Sequence, residues 1–163
     1  MEEILRLHSR FAQDDNHTMI VKIKRIDKTL PLPVYKTAGA VAFDLILREG
    51  AIIAPGEIKK LPCNVVVEIP EGYMLMLAPR SSLPYKKPGL IQSNSVGIID
   101  QDYCGPTDEL KFSAHNVSDH PITVERGETL SQAVFVKIEK ADLIEVEEMS
   151  APDRGGFGST DQK

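Results

Sequence analysis

Glu57-Ile58-Lys59-Lys60-Leu61-Pro62-Cys63-Asn64-Val65-Val66-Val67-Glu68-Ile69-Pro70-Glu71-Gly72-Tyr73-Met74-Leu75-Met76-Leu77-Ala78 decides the fold class. Residues 57–69 hold three consecutive valines, whose branched side chains suit a pleated strand. Glu71-Gly72 is a turn signal, and residues 73–78 form a second apolar run of strand length. Neither run shows a helical period. The pattern predicts two strands around a turn.

Outward from this pair the chain repeats the theme. Toward the N-terminus, residues 51–54, 41–47 and 20–26 read as strands. Toward the C-terminus, residues 90–100 and 109–116 flank a Cys104-Gly105-Pro106 break. Residues 122–124 and 130–139 flank Arg126-Gly127-Glu128, and residues 142–147 read as the last strand. Eleven glycines and eleven prolines punctuate the 163 residues. No segment after Met19 keeps a helical period, so no βαβ unit is expected, and there is no internal repeat. Many short strands with frequent turns predict an all-β sandwich or barrel.

The ends differ from this body. Residues 1–18 form an extension in which Ile4, Leu5, Leu7, His8 and Phe11 suit one face of a short helix, until Asp14, Asp15 and Asn16 break it. Residues 19–149 form the barrel domain. Residues 150–163 are small, polar and Gly-rich, the composition of a mobile tail.

Composition excludes several functions. The net charge is -5, with 19 basic against 24 acidic residues. A general nucleic-acid binder needs a basic surface, so no nucleic-acid partner is expected. No apolar run approaches the roughly 20 residues that cross a bilayer, so no membrane is expected. Glu2 and Glu3 do not suit a secretory signal. Cys63 and Cys104 make neither a disulfide framework nor a CxxC metal pair. These features predict a soluble cytoplasmic protein with reduced thiols. His115 and His120 are five apart across a loop, a poor spacing for structural zinc.

Five segments combine Gly or Pro with polar side chains between apolar strands, the kind of loop that carries function. In Ala38-Gly39-Ala40-Val41-Ala42-Phe43-Asp44-Leu45, Asp44 brings a carboxylate into an apolar strand, as a turn cap or as a functional acid. In Pro79-Arg80-Ser81-Ser82-Leu83, a guanidinium beside two hydroxyls suits phosphate oxygens, or Arg80 serves a structural ion pair. In residues 94–105, Ile98 and Ile99 deliver Asp100 to a strand end, where a carboxylate can orient and deprotonate water. Tyr103 follows, suited to wall a sugar or base. In Gly127-Glu128-Thr129-Leu130-Ser131-Gln132-Ala133, Gln132 is an amide inside an apolar strand and needs partners. In Arg154-Gly155-Gly156-Phe157-Gly158-Ser159-Thr160, glycines free backbone N–H groups and Phe157 is the one apolar side chain, suited to stack on a flat ligand. The segment lacks GxxxxGK[ST] and is no Walker loop.

In this order, the five segments resemble the five motifs of the homotrimeric dUTPase family, over about residues 19–163. The resemblance implies a distorted β-barrel or jelly roll (a β-clip), a trimeric assembly, and Mg²⁺-dependent hydrolysis of dUTP to dUMP and pyrophosphate. It implies that uracil is kept out of DNA and that dUMP is supplied for dTMP synthesis. It implies Asp100 as the base that activates water at the α-phosphorus, and Tyr103 beneath the deoxyribose, where a 2′-hydroxyl clashes. Asn94, with the backbone of Gly97, Ile98 and Ile99, reads uracil. Arg80, Ser81, Ser82 and Gln132 contact phosphates, and Lys111 is a further nucleotide contact. Asp44 lies near the metal or its waters. Arg154 reaches the γ-phosphate, Phe157 stacks on uracil, and Gly158 and Ser159 complete the closing tail. The resemblance places each site between subunits, with the tail from a third chain.

The chain departs from the family pattern in three places. Ser82 stands where many members have Gly. Pro106-Thr107-Asp108-Glu109 is longer than usual, brings two acids toward the site and unsettles the register of Lys111. Arg154 directly precedes Gly155-Gly156-Phe157, where many members have two more residues between. Two rivals share the barrel: a dCTP deaminase or bifunctional deaminase, for which Glu109 is the available acid, and a non-catalytic dUTPase-like regulator. Asp100, Tyr103 and Phe157 are all present, which favours the hydrolase.

Overall fold

A computed structural model describes residues 19–155. The extension of residues 1–18, read as a poorly ordered terminus or as a helix packed on a subunit, and the tail residues Phe157, Gly158 and Ser159 lie outside the described residues. The described strands are β1 (Lys22–Arg25), β2 (Phe43–Leu45), β3 (Ala51–Ile53), β4 (Ile58–Pro62), β5 (Val65–Glu68) and β6 (Tyr73–Pro79). A single-turn helix α1 (Leu83–Lys86) follows. Then come β7 (Leu90–Gln92), β8 (Gly97–Ile99), β9 (Lys111–Asn116), β10 (Ile122–Val124) and β11 (Ser131–Lys137).

Every pairing is antiparallel. The sheets are β1-β5, β10-β3, β2-β11-β6-β8 and β4-β9-β7. Together they enclose one core in an all-β fold, as the strand pattern predicts, and form the distorted jelly roll that the resemblance implies. Leu45, Leu61, Leu75, Leu77, Phe112 and Val124 are all buried in it. Each such side chain contributes roughly 1.5–3 kcal/mol of burial. β5 is buried along Val65, Val66 and Val67, as a strand covered on both faces must be.

Three expectations need correction. Residues 57–69 are two strands, because Asn64 has φ 68, the left-handed region, and turns the chain. Asn64 is stabilised there: its Oδ1 accepts from Asp27 N at 2.7 Å and its Nδ2 donates to Asp27 O at 3.0 Å. Residues 90–100 are likewise two strands, β7 and β8, split by a turn in which Ser95 has φ 60. Residues 142–147 form no strand. They have no pairing partner among the described residues, and Leu143 and Ile144 are exposed.

The Glu71-Gly72 turn is where the sequence predicts it, with Gly72 at φ 79. Pro84 sits in the first turn of α1, where a missing N–H costs no helical hydrogen bond.

Candidate nucleotide site

β2 buries Phe43 and Leu45, so strand alternation turns Asp44 to the opposite face. Asp44 is the register partner of Gln132 on β11, and Gln132 is the partner of Ala78 on β6. Arg80 follows β6 directly. Arg80 Nε forms an ion pair with Asp44 Oδ1 at 2.9 Å, and Lys36 Nζ lies 4.0 Å from Oδ2. Arg80 Nη1 also donates to the Thr129 hydroxyl and carbonyl. Gln132 Nε2 donates to Pro79 O at 3.3 Å. Three segments distant in sequence thus converge on one Arg. Its Nη2 has no partner among the described residues.

Ser81 is exposed beside this cluster, and Ser82 Oγ is buried without a partner. The loop continues into an open concavity of about 430 Å³ lined by Arg80, Ser81, Leu83, Ile91, Gln92 and Ser95. The motif-two loop and the β7–β8 turn therefore share one wall.

That turn is closely packed. A Cβ at Gly97 would lie 3.1 Å from Leu77 Cβ, so a glycine lets β8 approach β6. Val96 N donates to Asn94 O at 2.6 Å and Ser95 N to Gln92 O at 3.3 Å. Asn94 Oδ1 accepts from Gln92 Nε2 at 3.2 Å. Ile98 is half exposed, while Ile99 packs against the core.

Asp100 is exposed at the far end of β8. Tyr103 N donates to Asp100 O at 3.2 Å, closing the turn. The Tyr103 ring rests on the core and its hydroxyl donates to Glu109 O at 3.3 Å. Lys111 is exposed at the start of β9, opposite Pro62.

The structure does not bring Asp100 to Arg80. Ile99 is paired with Leu75, and Arg80 lies five residues further along β6 and its continuation. Asp100 lies one residue beyond Ile99, on the side away from Arg80, so at about 3.3 Å per residue the two are roughly 20 Å apart. The candidate site is therefore split between the two ends of one sheet.

The 106–109 insertion is structural. Asp108 Oδ2 accepts from Gly105 N at 2.7 Å. Glu109 is buried and accepts Arg48 Nε at 2.9 Å, Arg48 Nη2 at 3.0 Å and Asn64 N at 2.7 Å. That fork holds the Arg48 guanidinium above its ordinary pKa. The acid that the deaminase reading relied on is thus committed to the fold.

Residue-type reasoning overlooked Gln92, Thr129 and Lys36. Gln92 carries the signal that singled out Gln132, an amide closing an apolar run. Among the described residues no three His, Cys, Asp or Glu cluster as metal ligands, and no helix is long and apolar enough to cross a membrane.

Comparison with known proteins supports the reading. Residues 28–161 match the dUTPase family. The chain is 40% identical over 144 residues to the deoxyuridine 5'-triphosphate nucleotidohydrolase of Nautilia profundicola, covering 87% of this chain and 99% of that one. It is 38% identical over 148 residues to the enzyme of the same name from Hydrogenobaculum, covering 89% and 100%. The fold superposes on the crystal structure of dUTPase from Streptococcus mutans with a TM-score of 0.66, at 33% identity, covering 74% of this chain and 98% of that one. It also superposes on a Staphylococcus bacteriophage 80alpha dUTPase mutant solved with dUpNHpp, with a TM-score of 0.74 at 25% identity, covering 88% and 99%.

Proposed function

We propose a mechanism from one premise: the chain belongs to the dUTPase family. It is a dUTP diphosphatase that hydrolyses dUTP to dUMP and pyrophosphate. Its active unit is a homotrimer in which one chain supplies Arg80, Ser81, Ser82 and Gln132 to the phosphates. A neighbour supplies Asn94, Gly97, Ile98, Ile99, Asp100 and Tyr103 to the nucleoside. Arg154 and Phe157 of a third chain close over the nucleotide. Lys111 lies two residues from Ser113, whose hydroxyl bonds Ser93 of the turn, so it flanks the nucleoside side.

The roughly 20 Å between Asp100 and Arg80 carries this reading. A base aimed at the α-phosphorus and a guanidinium on the same triphosphate must lie within a few ångströms of one ligand. One chain does not provide that, whereas a closed ring of heterologous contacts does. Leu143, Ile144, Val146 and Met149 are exposed on a segment without a strand partner among the described residues, apolar surface that suits a neighbouring subunit.

Within that site Asp100 orients a water and takes its proton as the water's oxygen attacks the α-phosphorus; pyrophosphate leaves. Arg80 is aimed through Asp44 and Thr129, so its Nη2 reaches a phosphate oxygen without reorganising. Tyr103, fixed through Glu109 O, supports the deoxyribose. Asp44, whose Oδ1 is paired with Arg80, is the residue that would hold a water of a magnesium ion. Asp44 Oδ2 is the atom available to a coordinated water. The ion, when bound, screens phosphate charge. A dNTP substrate and thiols without partners agree with work in the cytosol.

Subunit complementation tests this. Asp100→Asn and Arg80→Ala chains are each inactive alone. Unfolded together and refolded, they regain about a quarter of the native sites, since some sites draw both intact halves. No recovery from a mixture that re-forms trimers overturns the shared site.

A further inference from the structure

Gln92 is a buried amide that the proposed contacts leave without a role. It closes β7 and is only 8% exposed. Its Nε2 donates to Leu77 O at 3.3 Å and to Asn94 Oδ1 at 3.2 Å. Its Oε1 is buried and has no partner among the described residues. An unpartnered buried acceptor destabilises the fold, and a leucine fills the same space without that cost. The amide therefore does something an apolar side chain does not.

The hydrogen-bond polarity shows what. A backbone carbonyl only accepts, so Leu77 O determines which end of the Gln92 amide faces it: turned over, Oε1 would oppose a carbonyl oxygen. Nε2, thus held, only donates, so it selects the oxygen of Asn94. The Asn94 amide is thereby fixed with Nδ2 on the Gly97 side, where a Cβ on Gly97 would lie 3.9 Å from it. A donor is presented over the glycine at which β8 begins.

We propose that Gln92 is a positioning residue for base selection. It locks Asn94 as a hydrogen-bond donor, so that the turn accepts the 4-carbonyl of uracil and opposes the 4-amino group of cytosine. The proposal rests on the reading of Asn94 as a base contact. A hydrogen-bonding site that is wrongly paired discriminates strongly, because its polar group is left unsatisfied.

Gln92→Leu tests it, with dUTP and dCTP as substrates. The variant keeps volume and removes both the donor and the unpaired acceptor, so its melting temperature stays level or rises. KM for dUTP rises about tenfold with kcat within about twofold, and the dUTP over dCTP preference in kcat/KM falls about tenfold. Gln92→Met repeats the measurement should the leucine variant not fold. In an Asn94→Ala background Gln92→Leu adds little, because it acts through Asn94. Wild-type KM and discrimination in Gln92→Leu, or a fully additive loss in the double variant, overturns the proposal. An Asn94→Ala enzyme with normal KM and discrimination overturns the base-contact reading itself, which separates the two failures.

Discussion

Arg80 Nε lies 2.9 Å from Asp44 Oδ1, and this ion pair ties β2 to the loop that leaves β6. Gln132 lies between them on β11, in register with Asp44 on one side and Ala78 on the other. The acid of the first motif is thus the support that aims the arginine of the second. A structural ion pair and the proposed phosphate contact, alternatives in the sequence, are compatible uses of one guanidinium.

Arg80→Lys is therefore not conservative. A lysine offers one point charge where the guanidinium spans Asp44, Thr129 and a ligand. We expect kcat/KM for dUTP to fall about 10²-fold, the cost of a lost preorganised donor, with melting unchanged within a few degrees. Steady-state pyrophosphate release and a thermal melt check both.

Asp100→Asn keeps the shape of an exposed strand-end residue and removes the base. Turnover falls about 10²–10⁴-fold while binding of a non-hydrolysable dUTP analogue persists. Near-normal turnover sinks Asp100 as the base.

Glu109 is load for the fold and not for chemistry. Glu109→Ala removes the two-pronged acceptor of Arg48, leaving it only Glu49, and strips a partner from the buried Asn64 N. We expect a loss of about 3 kcal/mol in unfolding free energy by urea titration, with no ammonia released from dCTP by either form.

The acid limb of stability reports Asp27. Arg126, then the Thr29 hydroxyl and N–H, hold its carboxyl well below the ordinary 3.8. A depressed carboxyl contributes stability above its unfolded pKa and loses it as pH falls through the folded one. Asp27→Asn should flatten the fall in melting temperature below about pH 4 and leave the neutral range without pH slope. An unchanged acid limb refutes this.

The thiols differ by burial. Cys63 is enclosed, and desolvation pushes its thiol up to about 12. Cys104 is exposed. A thiol reagent at pH 8 should label Cys104 alone in the native protein and both in denaturant. Labelling of Cys63 in the folded state contradicts the burial.

Much of this was legible in residue order. Valines in series, Glu71-Gly72 and the spaced glycines point to short strands because side-chain shape and turn chemistry act locally. The five polar segments stand out for the same local reason. Strand ends were less legible: Asn64 and Ser95 adopt left-handed backbone that nothing nearby announces. Asn64 is held there by Asp27 and Glu109, 37 and 45 residues away in sequence.

The sequence by itself determined the all-β class, the candidate chemistry and its motif order. Only the tertiary structure decided that Asp44 aims Arg80, that Glu109 belongs to Arg48, and that Gln92 orients Asn94. It also decided that Asp100 stands at the far end of the sheet from the Arg80 loop. The reason is physical. Propensity and turn preference are properties of neighbouring residues, whereas register across β2, β11, β6 and β8 is set by which faces the whole core buries.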